Sequence, residues 1–219
     1  MTLRVVAIDG PAGAGKSTVA RAVAAGTGLP YLDTGAMYRC VALGVIRGGL
    51  STSDVDAVAD FARRARIDVS DGVVTLDGED VSGEVRTAAV NALVGPVATN
   101  SAVREVMRTA QRRWVEDKGG GVVEGRDIGT VVFPDAVLKV FLTASANERA
   151  VRRAKESGAD VVEVARAIAE RDHIDSTRSD SPLQPAEGSV TVDSTGRTVD
   201  DVVAEIVGLY RAAMETAHG

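Results

Sequence analysis

Eight residues near the start of the chain, GPAGAGKS at positions 10–17, constrain the fold more than any other segment. They match the pattern G-x-x-x-x-G-K-[ST], whose backbone N–H groups surround the phosphates of a nucleoside triphosphate. The apolar run 5–8 predicts a buried strand before this loop, and 16–25 predicts a helix after it, as the mechanism requires. In this pattern Lys16 reaches the β- and γ-phosphates and the Ser17 hydroxyl binds Mg2+. The segment therefore predicts a nucleoside-triphosphate site.

Short apolar runs recur along the chain, with helical patterns between or after them. Strands are predicted at 121–124, 137–142 and 190–193 in addition to 5–8, and a last helix is predicted at 199–216. Wholly apolar runs of this length are typical of strands that are buried on both faces of a parallel sheet. The alternation of strand and helix therefore predicts an α/β fold.

Two intervals interrupt this alternation. Between about 34 and 118 the sequence predicts helices at 35–47 and 54–64, followed by short antiparallel strands at 67–69 and 73–76 with Asp-Gly turns at 71–72 and 77–78. A long helix with Pro96 near its start is predicted next. The second interval, 148–185, is polar and predicts helical segments rich in Arg, Asp and Glu. We interpret both intervals as insertions into a compact core.

Charge and cysteine content exclude several classes of protein. The formal net charge of -6 is unfavourable for general binding of nucleic acid, which depends on neutralising phosphates. A single cysteine, Cys40, excludes an internal disulfide and leaves a structural zinc site without thiolate ligands. We find no apolar run of about 20 residues and no basic-then-apolar leader pattern. These features predict a cytoplasmic protein that binds neither nucleic acid nor a membrane.

The class of phosphate-binding protein follows from further motifs. A regulatory GTPase reads guanine through N-K-x-D, but the asparagines at 91, 100 and 147 precede Ala, Ser and Glu. A D-x-x-G match at 193–196 lies near the C-terminus, which is the wrong place for a switch segment. Motor and AAA-type ATPases need a much longer chain. A small phosphotransferase with two inserted segments fits the pattern.

Five strings in this order resemble the nucleoside monophosphate kinases, and specifically the bacterial cytidylate kinases. The strings are IDGPAGAGKST (8–18), LDTGAMYR (32–39), GEDVSGEVRT (78–87), EGRDIGTVVFPD (124–135) and ERDHIDSTR (170–178). The resemblance covers essentially the whole chain and is much more specific than the phosphate-binding loop alone.

The resemblance implies an adenylate-kinase-like, three-layer α/β fold with a five-stranded parallel sheet. The expected core comprises 1–33, 119–150 and 186–219. An insert with a small antiparallel sheet, 34–118, is expected to bind the nucleoside monophosphate, and 151–185 is expected to form a helical lid. The implied activity is transfer of the γ-phosphoryl group of ATP to CMP or dCMP with Mg2+, by a monomer.

The resemblance also implies roles for individual residues. The expected catalytic residues are Lys16, Arg126, Arg171 and Arg178, acting as electrostatic clamps on phosphate. ATP is expected at Gly10, Pro11, Ala12, Gly13, Ala14, Gly15, Lys16, Ser17 and Thr18, with Mg2+ at Ser17. CMP or dCMP is expected at Thr34, Arg39, Arg104, Arg126, Asp127, Arg171, Asp175 and Arg178. Asp127 suits the base because a carboxylate accepts a hydrogen bond from the exocyclic amine of cytosine, which uracil lacks.

One departure from the family pattern affects how the base is read. Where relatives carry Val-Ser ahead of the long helix, this chain has Gly95 after Val94. Thr99, Ser101 or a backbone group is the candidate replacement for that serine.

Two groups of charged residues allow two interpretations each. Arg149, Arg152 and Arg153 either bind ATP or pair with the nearby Glu148 and Glu156. The strand-end carboxylates either hold Mg2+ through water or make structural hydrogen bonds. These carboxylates are Asp9, Asp33 and Glu124.

Two other functions remain as alternatives. One is a kinase of another small acceptor, such as UMP, AMP or shikimate. The other is a nucleotide-binding regulatory ATPase that hydrolyses slowly. The turn-containing insert and the string at 125–127 disfavour the first, and the clustered arginines disfavour the second.

Overall fold

The computed structural model describes residues 3–70 and 72–216. Asp71 of one predicted turn and the ends of the predicted core segments 1–33 and 186–219 lie outside the described residues. The strands are β1 (Arg4–Asp9), β2 (Tyr31–Asp33), β3 (Ile67–Ser70), β4 (Val73–Leu76), β5 (Glu79–Asp80), β6 (Gly120–Gly125), β7 (Leu138–Thr143) and β8 (Val190–Asp193). The helices are α1 (Lys16–Thr27), α2 (Thr34–Arg47), α3 (Val55–Arg64), α4 (Ala88–Thr99), α5 (Ser101–Lys118), α6 (Ala146–Ser157), α7 (Val161–Thr177) and α8 (Val199–Thr216). Over the described residues, none of these helices combines the length and apolar character that crossing a bilayer requires.

The four predicted strands and the short β2 form a five-stranded parallel sheet in the order β2-β6-β1-β7-β8. Val6, Ile8 and Val122 have no exposed surface, as expected for strands buried on both faces. Helices α1 and α8 pack into the same apolar cluster through residues such as Val23 and Ile206. The predicted α/β fold with a five-stranded sheet is confirmed. Because neighbouring strands are parallel, the carboxyl ends of β1 and β6 meet at one edge, where ligands bind in folds of this kind.

The chain folds into two compact units. The first comprises the chain up to Tyr31 and the chain from Val115 onward, and the second is Leu32–Trp114. The second unit contains α2, α3, an antiparallel sheet in the order β3-β4-β5, α4 and most of α5. The small antiparallel sheet predicted within 34–118 is therefore confirmed.

The turn between β4 and β5 shows why the sequence signal for this small sheet was clear. Asp77 and Gly78 both have positive φ, at 54° and 90°. A two-residue hairpin turn of type I′ needs this conformation at both positions, and Asp-Gly adopts it readily. Arg47 at the end of α2 then donates hydrogen bonds to Glu79 and Glu84, which ties the helix to the end of the sheet.

The prediction of one long helix with Pro96 near its start is wrong. Pro96 lies inside α4, and a separate helix, α5, begins at Ser101. The side chain of Asn100 accepts hydrogen bonds from the N–H groups of Ala102 and Val103, at 3.0 and 3.3 Å, and so caps α5. An asparagine cap of this kind starts a new helix, and it was the signal in the sequence that marked the break.

Replacing Gly44 in α2 with Ala is expected to destabilise the second unit. A Cβ at Gly44 would lie 1.9 Å from the ring of Phe61 on α3, so the ring must move. Overpacking of this kind costs about 1–3 kcal/mol, which we expect to observe as a lower free energy of unfolding in urea.

The matched control is Gly208→Ala in α8, where a Cβ would meet nothing within 4 Å. Loss of backbone freedom in the unfolded chain should make that variant more stable by about 0.5–1 kcal/mol. Adding Phe61→Leu to Gly44→Ala replaces the ring with a smaller side chain and should recover part of the lost stability. A Gly44→Ala protein as stable as Gly208→Ala would contradict the packing argument.

Candidate active site

The phosphate-binding loop connects β1 to α1 through three glycines with positive φ: Gly10, Gly13 and Gly15. Gly10 is the most constrained, since its φ is 152° and a Cβ would lie 2.0 Å from the carbonyl oxygen of Leu142 in β7. Gly15, in the left-handed conformation, precedes the first turn of α1. The first four N–H groups of a helix have no acceptor within the helix. The start of α1 therefore offers the anion-binding donors that the motif predicted.

Lys16 is buried at the base of this loop. Its Nζ donates a hydrogen bond to the carbonyl oxygen of Pro11, at 2.8 Å, and 8 % of the residue is exposed. Burial, together with the positive charges of Arg126 and Arg171, lowers the pKa of Lys16 to about 7, although Glu124 opposes the shift. A bound polyphosphate would raise the pKa of Lys16 again, because its negative charge stabilises the protonated amine.

Ser17 lies beside a carboxylate at the end of β6. Its hydroxyl donates to Glu124 Oε2 at 3.0 Å, and the Tyr31 hydroxyl donates to Glu124 Oε1. Among residues 3–70 and 72–216 no cluster of three His, Cys, Asp or Glu side chains is placed to hold a metal. The oxygen donors of Ser17 and Glu124 nevertheless suit Mg2+, which usually binds through one or two protein groups, substrate phosphates and water.

Asp9, the last residue of β1, makes structural hydrogen bonds. Its two carboxylate oxygens accept from the N–H groups of Ile128, at 2.8 Å, and Gly129, at 2.7 Å. The segment that follows Arg126 and Asp127 is thereby attached to the end of β1. Of the two interpretations of Asp9 from the sequence, the structure favours the structural one.

Four of the predicted site residues form one ion-pair cluster in the first unit. Arg126 Nε donates to Asp175 Oδ2 at 2.7 Å, and Arg126 Nη1 donates to the Gly10 carbonyl at 2.9 Å. Arg178 lies 3.7 Å from Asp175 Oδ1 and 3.9 Å from Asp127 Oδ1. The cluster thus brings residues from positions 126 to 178 against the phosphate-binding loop.

Asp175 of this cluster is held as a carboxylate. Burial alone would raise the pKa of Asp175, but the charges of Arg126, Arg171 and Arg178 and the hydrogen bond from Arg126 outweigh it. The net effect is a lowered pKa. Asp127 is 6 % exposed, so it adds a second buried acidic side chain, beside Arg178.

The arginines of α6 have distinct partners. Arg152 pairs with Glu148 and donates to Ser194, and Arg153 pairs with Glu156, as one interpretation of the sequence expected. Arg149 differs, since it pairs with Asp172 of α7 and donates to the Ala12 carbonyl. Sequence reasoning missed Asp172, because the two residues are 23 positions apart and lie on different helices.

The remaining predicted residues, Thr34, Arg39 and Arg104, lie in the second unit. Thr34 is the first residue of α2 and is 3 % exposed. Arg39 lies 3.8 Å from Asp33 and donates to Asn91 at 3.4 Å. Arg104 is fully buried, donates to the Ala98 carbonyl and lies over the Tyr38 ring. Their roles in acceptor binding stay predictions.

The replacement of the expected serine by Thr99, Ser101 or a backbone group stays a prediction. Gly95 lies within α4, and a Cβ at that position would meet nothing within 4 Å. The Thr99 hydroxyl donates to the Pro96 carbonyl at 2.7 Å, and Ser101 is exposed at the start of α5.

The stability of the protein should depend on pH through Asp9. Burial raises the pKa of Asp9 from 3.8 to about 6. The folded state therefore binds this proton more tightly than the unfolded chain. The contribution is full below about pH 3.8 and is lost as pH rises through 6.

We expect the free energy of unfolding of the wild type, minus that of Asp9→Asn, to fall by about 2–3 kcal/mol between pH 4 and pH 7. Urea denaturation of both proteins across this range measures the difference. A constant difference would show that Asp9 titrates alike in the folded and unfolded states.

Comparison with known proteins identifies the family. The family model described as cytidylate kinase matches residues 6–212. A cytidylate kinase from Rhodococcus opacus (strain B4) is 48 % identical over 212 residues, covering 93 % of this chain and 93 % of that protein. A bifunctional pantoate ligase/cytidylate kinase from Synechocystis sp. is 47 % identical over 221 residues, covering 95 % of this chain. The chain spans 43 % of the length of that bifunctional relative.

A solved structure shares the fold. A gluconokinase from Sinorhizobium meliloti 1021 has a TM-score of 0.54 and 15 % identity, covering 99 % of this chain and 96 % of that chain. At this identity the likeness concerns the fold alone. The family match, in contrast, begins within β1 and ends within α8, so that it includes both units. The chain belongs to the cytidylate kinase family.

Proposed function

We propose that the chain transfers the γ-phosphoryl group of ATP to CMP or dCMP, which yields ADP and CDP or dCDP. The observation that carries this proposal is the cluster of Arg126, Asp127, Asp175 and Arg178, which Arg126 joins to the phosphate-binding loop at Gly10. In this proposal the Asp127 carboxylate reads the base, and the guanidinium groups of Arg126 and Arg178 bind phosphate next to the loop. Membership of the cytidylate kinase family supports the same reaction.

The donor side of the reaction uses the loop and Lys16. The backbone of 10–18 binds the phosphates of ATP, and Lys16 exchanges its bond to Pro11 for the β- and γ-phosphates. Phosphate charge then favours the protonated amine, which stabilises the charge on the leaving ADP.

The phosphate of CMP, which accepts the phosphoryl group, has to be aligned with ATP but does not have to be activated. An oxygen of the CMP phosphate attacks the γ-phosphorus, and the bond to the β-phosphate oxygen breaks as ADP leaves with the electron pair. That oxygen is already anionic, so no side chain has to remove a proton. Arg126, Arg171 and Arg178 hold the donor and acceptor phosphates in line and offset their charge.

Ser17 and Glu124 are the groups that would hold Mg2+. When bound, the ion neutralises charge on the β- and γ-phosphates. Ser17 would supply a hydroxyl ligand, and Glu124 orients that hydroxyl through the hydrogen bond described above. Tyr31 fixes the other carboxylate oxygen of Glu124.

The remaining expectations from the family are part of this proposal. Thr34, Arg39 and Arg104 contribute to acceptor binding, with 34–118 as the monophosphate-binding insert. The segment 151–185 acts as the lid that excludes water. The protein acts as a cytoplasmic monomer on small nucleotides.

A coupled assay of ADP release with CMP, dCMP, UMP and AMP tests the reaction. We expect CMP and dCMP to give the highest kcat/KM. Release of ADP that does not depend on any acceptor would support a regulatory ATPase instead, and a preference for UMP or AMP would support the other kinase alternative.

Replacing Asp127 should change which base is accepted. Asp127→Ala is expected to lower kcat/KM for CMP by about 10–100-fold, the equivalent of one lost charge-assisted hydrogen bond, with little change in KM for ATP. Asp127→Asn should narrow the preference for CMP over UMP, because an amide N–H donates to the uracil O4.

Asp135→Ala is the matched control, since Asp135 is an exposed aspartate in the same string, 124–135. We expect that variant to retain its kcat/KM for CMP. An unchanged kcat/KM for CMP in Asp127→Ala would exclude Asp127 as the base reader.

Replacing Glu124 should change the requirement for Mg2+. In Glu124→Gln the amide cannot accept from Ser17 and Tyr31 as the carboxylate does, so we expect the Mg2+ concentration for half-maximal rate to rise about 10-fold or more. Titration of Mg2+ at fixed ATP measures this, and Tyr31→Phe should show a smaller rise. An unaltered Mg2+ dependence in Glu124→Gln would argue for a structural role alone.

A further inference from the structure

Two aspartates of α7, one helical turn apart, are bound to the phosphate-binding loop in the same way. Asp175 pairs with Arg126, which donates to the Gly10 carbonyl at 2.9 Å. Asp172 pairs with Arg149, which donates to the Ala12 carbonyl at 3.0 Å. In both cases an arginine from another element bridges a carboxylate of α7 and a carbonyl of the loop.

The ion pair of Arg149 and Asp172 makes hydrogen bonds to two backbone groups of the loop. The N–H of Ala12 donates to Asp172 Oδ1 at 3.0 Å, so one ion pair binds both the N–H and the carbonyl of Ala12. Arg149 Nε also donates to the Ala144 carbonyl, just after β7. The side chains of Arg149 and Asp172 are 13 % and 21 % exposed, so salt screens this pair less than a surface pair.

The place of Asp172 in the sequence connects this contact to the phosphates. Arg171 directly precedes it in α7, and the proposed function assigns Arg171 to the phosphates that Lys16 binds. A shift of α7 along the loop would therefore move Arg171 relative to Lys16. A displacement of about 1 Å is enough to reduce the rate of a reaction about 100-fold.

We propose that Asp172 and Arg149 are positioning residues that hold α7 in register against the phosphate-binding loop, so that Arg171 faces the transferred phosphoryl group. The proposal rests on the proposed function, since it assigns Arg171 to phosphoryl transfer. Asp172 acts as a carboxylate because one oxygen accepts from Ala12 while the other accepts from Arg149. An asparagine offers only one acceptor oxygen, and its amide nitrogen would face a donor.

Steady-state kinetics of Asp172→Asn, Arg149→Met and the double variant test the proposal. We expect kcat to fall 10–100-fold in each, with KM for CMP within about threefold of the wild type. The double variant should lose no more than the stronger single variant, because the two residues act as one unit. Glu156→Gln is the matched control, since it removes an exposed ion pair of α6 with Arg153.

Hydrogen exchange provides a measurement that needs neither ATP nor CMP. We expect the amides of 10 and 12–15 to exchange at least tenfold faster in Asp172→Asn than in the wild type or in Glu156→Gln, because the one oxygen of an asparagine amide cannot accept from both Ala12 and Arg149. Thermal unfolding of each variant shows whether a loss of rate merely follows a loss of folded protein.

The outcomes separate this proposal from the proposed function. A kcat within threefold of the wild type in Asp172→Asn, or a loss explained by unfolding, would overturn the positioning role. If the loop amides exchange faster in Asp172→Asn but the wild type does not phosphorylate CMP, the contact between Asp172 and the loop is supported. The proposed reaction is then refuted, and with it the catalytic part of this inference. A fall in kcat with unchanged KM, together with faster exchange, supports both.

Discussion

The backbone of the phosphate-binding loop is the feature on which the rest of the site depends. Its carbonyls accept hydrogen bonds from three cations: Lys16 at Pro11, Arg126 at Gly10 and Arg149 at Ala12. The loop itself lies directly against β7. It can approach so closely because Gly10 has no side chain, for which there would be no room beside Leu142. Main-chain atoms of the loop between β1 and α1 therefore determine where these cations lie.

Charge compensation explains how so many ionic groups are accommodated near one loop. Arginines and aspartates meet in pairs, with Arg126 on Asp175 and Arg149 on Asp172. Buried pairs of this kind contribute little to stability, since desolvation offsets much of their attraction. Their presence is better explained by function, because a phosphate site needs guanidinium groups in fixed orientation. A chain with a net charge of -6 can therefore bind anionic nucleotides at a local cluster of cations.

Much of the architecture was predictable because its signals are local. Apolar runs predicted β1, β6, β7 and β8, while Asp77-Gly78 predicted a hairpin turn. Strand β2 spans only three residues, too few for a pattern of buried positions, so the fifth strand followed only from the family resemblance. The break between α4 and α5 was missed because Pro96 was interpreted as the start of a helix, although Asn100 supplies the cap.

The sequence by itself determined the phosphate-binding loop, the strands and turns around it, and the family, since each depends on residues close together or on strings in a fixed order. Tertiary structure alone decided the long-range partners of the charged residues at the site. It assigned Asp9 to the amides of 128–129, Glu124 to Ser17, and Arg149 to Asp172 rather than to a neighbour on its own helix. These partners lie between 23 and 120 positions apart. No local pattern encodes such pairings, because only the packing of α6, α7 and the parallel strands brings the groups within bonding distance.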